Sequence, residues 1–599
     1  MAVKILQQYH LRPVKYFFSN LFTYLLVAFI YAFCKAGVHT VLILIIPLVL
    51  FYCFAQRPRS QGASSKNFLS QLLPAATLLM LCAFFCFIYI LPRSIEGDVT
   101  YYAKLASYFK GPGIENNFHY YNDLLNENLG LVPYHYFELW FASFVSLLSG
   151  FTSLVTLKFI VYPYLMALCF IGMAGLYEHI SQKKASIFNL LIIFSLSFLS
   201  GLAGQYLSIK CSGWDILLSL WYRPNFILNY LAIIPLILSL HNKDRGLLAF
   251  SSMLACFFSV TLIPALLPAV YVFLAYEWLI KREKLKTVLL PGIYISGFVI
   301  MYFLFYSLHQ SDFNFIESRS ISSIILTSFK IWKATLGTFL NMSIRCLVFV
   351  PLFYWLYKKN FIGLSTIVFF TLISVLSIGT FQLLNQLDNS YQVPHFAFCV
   401  LGCLLTLTCL YLLDKLNIAF LAMTTLLLLV FSVYANKKQL IPFADFKDNR
   451  PFFVSQKGLS VDFAKRTASV LETLTLPCGF YFSDDQIKRT EQRYRTESTL
   501  QPLQEIAYYT DKSNMICVNK KEQMLQGEGR GKEINQFWYN SFPSYSLYDN
   551  PYKYIEEGKL GALLISNNGI KELPDTTSLF DIKKTIIIKD TKWSLFINQ

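Results

Sequence analysis

The sequence predicts a polytopic α-helical membrane protein of about thirteen spans, followed by a soluble α/β or α+β domain on the outer face. Three observations predict it. Over 599 residues the chain is 55% hydrophobic and 17% aromatic with only 14% charged residues, too apolar for an ordinary soluble protein. Apolar runs of roughly 20 residues, enough to cross a bilayer, recur from Phe17 to Tyr434. From about Asn436 onward they stop, and 23 Lys+Arg stand against 20 Asp+Glu. The spans are expected to be helical because only a helix satisfies its own backbone hydrogen bonds in lipid.

Taken in order, the spans are expected at 17–34, 38–55, 72–91, 152–177, 187–208, 225–240, 247–263, 265–279, 288–308, 337–357, 361–381, 393–413 and 417–435. Pro264 and Pro268 split or kink the stretch 247–279. The N-terminal stretch has basic residues, but its apolar run is long and lacks a small-residue cleavage site, so no cleavable signal peptide is expected. Basic residues then orient the bundle. With a cytoplasmic N-terminus, 17 of them fall inside against 9 outside, among them Lys183, Lys184, Lys243, Arg245, Lys281, Arg282, Lys358, Lys359 and Lys415.

The net charge of +16 does not indicate a nucleic-acid partner. Residues 1–435 hold 28 Lys+Arg and 15 Asp+Glu, and most of those cations sit in short loops where they set topology. The 13 Cys lie mostly in apolar runs (Cys34, Cys82, Cys86, Cys399, Cys403), where they act as small hydrophobes. No metal-ligand spacing is present in the sequence, and Cys478 and Cys517 could pair only in an oxidising compartment.

One polar stretch stands out between the third span and the next apolar run. The loop 93–133 is acid-rich and, by the charge count, lies on the outer face. The following segment 134–149 is too short and too polar (His135, Glu138) to cross. Its apolar residues Phe137, Trp140, Phe141, Phe144, Val145 and Leu148 recur at helical spacing, as expected of an interfacial helix. In the C-terminal region DFAKRTASVLETL reads as a helix, and CGFYFS, MICVN, GALLIS, KTIIIKD and WSLFIN read as strands. The expected domains are therefore a membrane part, 1–435, and an extracytoplasmic soluble part, 436–599.

Within the loop, Glu96-Gly97-Asp98 precedes Tyr101-Tyr102. By composition alone these carboxylates are loop residues, with Asp98 capping a helix that begins VTYYAKLASYF. The order of features adds to this. An apolar span is followed by GDVTYYAKLA, a polar stretch, VPYHYFELWFASFVSLLSG and another span. This order resembles the GT-C superfamily of membrane glycosyltransferases, on the side of the protein mannosyltransferases and aminoarabinose transferases. The matched stretches cover about sixty residues, two spans precede the one aligned with the family's first, and the later loops match loosely.

The resemblance implies a transferase that moves a sugar from a polyprenyl-phosphate donor to a glycan, lipid or protein acceptor at the outer face of a bacterial inner membrane. It maps Asp98 onto the catalytic carboxylate, with Glu96 as the alternative, and makes Glu96, Tyr102 and His135 candidate substrate-binding residues. A carboxylate takes the acceptor hydroxyl proton, and cations offset the departing phosphate. Candidates for holding the phosphate are Arg345, about eight residues into a span, Arg223 before Pro224, and the polar Gln392 with His395 at the mouth of the twelfth span. Each of these also reads as an interfacial anchor. No cofactor is required, although parts of the superfamily admit a divalent cation. Alternatives are a polysaccharide polymerase or ligase, or a lipid or solute transporter or flippase, the last of which would favour internal repeats that the sequence lacks.

Overall fold

A computed structural model describes residues 12–36, 81, 97–110, 137–185, 188–193, 227–258, 262–308, 350–384, 393–436, 459–481, 483, 505–512, 515–520, 548–573 and 585–598. The expected spans 38–55 and 72–91, apart from residue 81, lie outside the described residues, as do 194–208 and 337–349. The other expected spans coincide with helices. These are Arg12–Ala36, Ser153–Ser181, Ile227–Asn242, Arg245–Phe258, Ile263–Leu279, Leu285–Leu308, Leu364–Leu384, Val393–Leu413 and Ile418–Asn436, with Val350–Lys358 ending the tenth. By length and composition, Pro13–Ala32 and Ser153–Ser181 are long and apolar enough among the described residues to cross a membrane. Pro264 and Pro268 fall in the first two turns of Ile263–Leu279, so the stretch 247–279 is two helices.

Packing follows residue size. Gly172 and Gly175 let the first helix approach Ser153–Ser181 closely: a Cβ at Gly175 would sit 2.7 Å from the Val14 backbone nitrogen, and one at Gly172 2.6 Å from the Phe17 ring. Small residues at such crossings are how helices gain contact in lipid, where the hydrophobic effect supplies no attraction between them. The outward faces are apolar. Leu289, Ile293, Ile300 and Leu304 form an exposed stripe on Leu285–Leu308, and Phe420, Met423, Leu427 and Val430 form another on Ile418–Asn436. Water would penalise such stripes, whereas lipid tails would cover them.

Among the described residues, the loops that follow Ser153–Ser181, Ile227–Asn242, Ile263–Leu279, Val350–Lys358 and Val393–Leu413 gather at one end of the bundle. There His179 Nε2 and Asn242 Oδ1 are 2.8 Å apart, Lys183 pairs with Asp414, and the rings of Phe361 and Tyr411 are 4.3 Å apart. Arg245 and Glu277 form a buried ion pair; Lys281 Nζ donates to Ser365 Oγ (2.6 Å), which donates to Glu277 Oε1 (3.1 Å). These are the loops whose cations orient the chain in sequence.

The C-terminal region contains the expected helix as Val461–Thr473 and the five expected strands as one sheet. The strands are β1 (Cys478–Tyr481), β2 (Met515–Cys517), β3 (Ala562–Ser566), β4 (Thr585–Lys589) and β5 (Trp593–Asn598), in the order β2-β1-β3-β5-β4. β1 pairs parallel with β2 and β3, and β5 pairs antiparallel with β3 and β4. Strand β3 is buried throughout, which is why GALLIS reads as an unbroken apolar run rather than an alternating one. One face, with Ala562 and Leu564, packs with Phe463, Ala464, Ala468 and Leu471; these recur along Val461–Thr473 at helical spacing behind the Ser460 cap. The other face, with Leu563 and Ile565, packs with Tyr552, Tyr554 and Ile555. Cys478 is a free, buried thiol in β1 and forms no disulfide.

Candidate active site at the end opposite the basic loops

The loop residues of interest begin a helix, Gly97–Tyr108. Asp98 is its second residue, in the first turn, where the unpaired backbone N–H groups and the helix dipole favour an anion. One turn on, Tyr102 is buried, as are Val99, Ala103, Leu105, Ala106 and Phe109. Lys104 is buried too, at 3% exposure. The helix lies against Phe137–Ser149 and the opening turns of Ser153–Ser181.

The end of this helix is tied to the first helix. Tyr31 Oη meets Ser143 Oγ at 2.9 Å and donates to the Phe109 carbonyl at 3.4 Å, while Lys35 Nζ donates to the Lys110 carbonyl at 2.7 Å. Phe109 stacks on Trp140 with centroids 4.2 Å apart.

Segment 505–512 of the C-terminal region closes over the same end. Tyr508 stacks on Phe159 and accepts a hydrogen bond from Lys158 Nζ at 3.2 Å, and its carbonyl accepts from Thr152 Oγ1 at 3.3 Å. Asp511 pairs with Lys110 and accepts from the Ser153 backbone N–H at 2.8 Å. Lys158 lies in a π-helical turn, Leu157–Val161, a distortion frequently found at functional sites. Ser153–Ser181 thus begins beneath this segment and ends among the basic loops, so the two sets of contacts lie at opposite ends of the bundle.

His395 is the third residue of Val393–Leu413. That helix runs parallel to Ser153–Ser181, since Cys403 Sγ contacts Met173 Sδ at 3.1 Å and its far end carries the Tyr411 and Lys415 contacts. The start of the His395 helix is therefore at the same end of the bundle as segment 505–512 and the tail of the Asp98 helix. Glu96, His135, Arg223, Arg345 and Gln392 lie outside the described residues, as do the side chains of Asp98 and His395.

The helix after the loop differs from its expected face. Phe137–Ser149 buries Phe137, Glu138, Leu139, Trp140, Ala142, Ser143 and Ser146, while Leu148 is 70% exposed. Glu138, one of the two residues that make the segment read as too polar to cross, is fully buried, and neither carboxylate oxygen has a hydrogen-bond partner. Burial pushes its carboxyl up to about 8; its own backbone N–H pulls the other way without meeting hydrogen-bond geometry. Tyr24, whose hydroxyl is also buried and without a hydrogen bond, is near enough to interact with its charge. The sequence signal for this face is the small-residue set Ala142, Ser143 and Ser146, which marks close helix contact more faithfully than the aromatic stripe does.

Among the described residues no cluster of three or more His, Cys, Asp or Glu is arranged to hold a metal ion. No family model matches the chain, and no curated protein matches it. Among solved structures, it is similar to the crystal structure of ArnT from Cupriavidus metallidurans bound to undecaprenyl phosphate. The identity is 12%, the match covers 89% of this chain and 99% of that one, and the TM-score is 0.40.

Proposed function

We propose that this chain is an integral-membrane glycosyltransferase of the GT-C type, with Asp98 as its base. It moves a sugar from a polyprenyl-phosphate donor to an acceptor at the outer, periplasmic face. The observation that carries this reading is the position of Asp98 in the first turn of a helix whose tail is anchored, through Lys110 and segment 505–512, at the bundle end opposite the basic loops. The motif order around GDVTYYAKLA and VPYHYFELWFASFVSLLSG supports the reaction class, and the exposed apolar stripes support the membrane.

In the reaction an acceptor hydroxyl attacks the anomeric carbon and its proton passes to Asp98. The bond from that carbon to the phosphate oxygen breaks, and polyprenyl phosphate leaves. Arg223, Arg345 and His395 balance the phosphate charge, while Glu96, Tyr102, His135 and Gln392 orient the reactants. General-base catalysis contributes about 10²–10⁴-fold in rate.

The test uses purified protein and labelled polyprenyl-phosphate sugars. Transfer or hydrolysis of one of them is expected, and Asp98→Asn should reduce turnover by about 10²-fold or more while eluting as the wild type does. Undiminished turnover in Asp98→Asn would remove Asp98 from the base role. Failure of the wild type to act on any such donor would remove the glycosyltransferase itself.

A further inference from the structure

The geometry points to segment 505–512 as a latch that positions the Asp98 helix, with Lys110 and Asp511 as positioning residues. The C-terminal region would then be a working part of the site rather than a cover over it. The kinetic part of this inference rests on the proposed role of Asp98; the structural part does not.

The segment is gripped from both sides. On the C-terminal side, Glu505 accepts from the Leu459 N–H, Thr510 bonds Glu472, and Lys512 Nζ donates to the Glu472 carbonyl at 2.8 Å. Glu472 is near the end of Val461–Thr473, the helix that covers the sheet. Ile506, Ala507 and Tyr508 are buried in the same core as the bundle helices. On the membrane side, Asp511 uses its two oxygens on two elements, Lys110 Nζ with one and the Ser153 N–H with the other. The Ser153 N–H is an orphan donor of the helix start, and Thr152 caps only Val155. Asp511 thus completes the cap from a part of the chain more than 350 residues away.

Lys110 lies two residues past the end of Gly97–Tyr108, and Lys35 donates to its carbonyl. The single carboxylate of Asp511 consequently fixes the tail of the Asp98 helix relative to the start of Ser153–Ser181, on whose opening turns that helix lies. A rigid helix carries displacement of its tail to its first turn. With a reacting group, a misplacement of about 1 Å costs about 10²-fold in rate. A charged hydrogen-bonded pair at partial burial is worth having here for geometry more than for stability, since both side chains are about a quarter exposed.

Full-length protein carries the test. Hydrogen exchange of Asp511→Asn and Lys110→Met should rise in 97–110 and in 505–512, with the basic-loop end unchanged. In the transfer assay both variants should lose between about ten- and a hundredfold in kcat, with KM for the donor within about threefold of wild type. The exchanged pair, Lys110→Asp with Asp511→Lys, should recover part of that loss, which a purely local role for either residue would not allow. Unchanged exchange in 97–110 overturns the latch whether or not the protein is a transferase. Raised exchange with wild-type kcat, or an exchanged pair no better than the worse single variant, overturns the positioning role. A wild type inactive on every polyprenyl-phosphate sugar, with the exchange result as expected, overturns the proposed function alone.

Discussion

Glu138 offers the sharpest quantitative test of the packing around the site. Its carboxyl has an ordinary value of 4.5 and is pushed up to about 8 by burial in the fold. A raised value means the folded state holds the proton more tightly than the unfolded chain does. The corresponding stability is fully present below pH 4.5 and is lost as pH rises through about 8. At about 1.4 kcal/mol per pH unit, that gap corresponds to a loss on the order of 5 kcal/mol. Glu138→Gln keeps the shape and cannot titrate, so its stability lacks this dependence. Thermal unfolding in detergent at pH 5, 7 and 9, read by gel filtration after heating, compares the two proteins. The wild type should fall progressively behind Glu138→Gln between pH 5 and pH 9, and be the less stable of the two at pH 9. Parallel pH profiles would refute the reasoning, because they would mean that the carboxylate reaches water or a cation when charged.

Two further predictions concern the bundle. Gly175→Val puts a branched side chain against the Val14 backbone, where even a Cβ has only 2.7 Å, and should lower stability by about 1–3 kcal/mol in the same unfolding assay. At the basic-loop end, Glu277→Gln leaves the Arg245 guanidinium buried without its carboxylate and should cost about 3–5 kcal/mol. The double variant Arg245→Met with Glu277→Leu should return close to wild-type stability, since apolar pairs often replace buried ion pairs at little cost. A double variant as unstable as Glu277→Gln would mean that the pair does more than compensate its own burial.

Most of the architecture was legible because its signals are local. A run of apolar residues has one low-energy answer in lipid, so the expected spans and helices coincide to within a few residues wherever both are described. The C-terminal strands were legible for the same reason, as short β-rich runs between turn residues. The strand order was not, because parallel β1 and β2 are joined through a long crossover that no local pattern encodes. Asp98 was singled out by motif order alone, and the structure describes it as the second residue of a helix. The burial of Glu138 was not legible, because a lone carboxylate in an apolar stretch reads as a polar residue and only the small residues beside it mark the packed face. Asp511 went unnoticed because nothing around it, in YYTDKSN, distinguishes it from a solvated turn; its partners at 110 and 153 are distant in sequence.

The two ends of Ser153–Ser181 bear on orientation together. Its far end meets Asn242, and Lys183 just past it pairs with Asp414, in the loops whose cations make the positive side. Its near end carries the Asp98 helix and the C-terminal segment. Whichever side the basic loops occupy, the tail of the Asp98 helix and segment 505–512 are at the other end of the bundle. With the proposed cytoplasmic basic loops, the positive-inside rule would put the Asp98 helix and the C-terminal segment that contacts it on the outer face. A donor with a polyprenyl tail in the bilayer would present its phosphate at that same border.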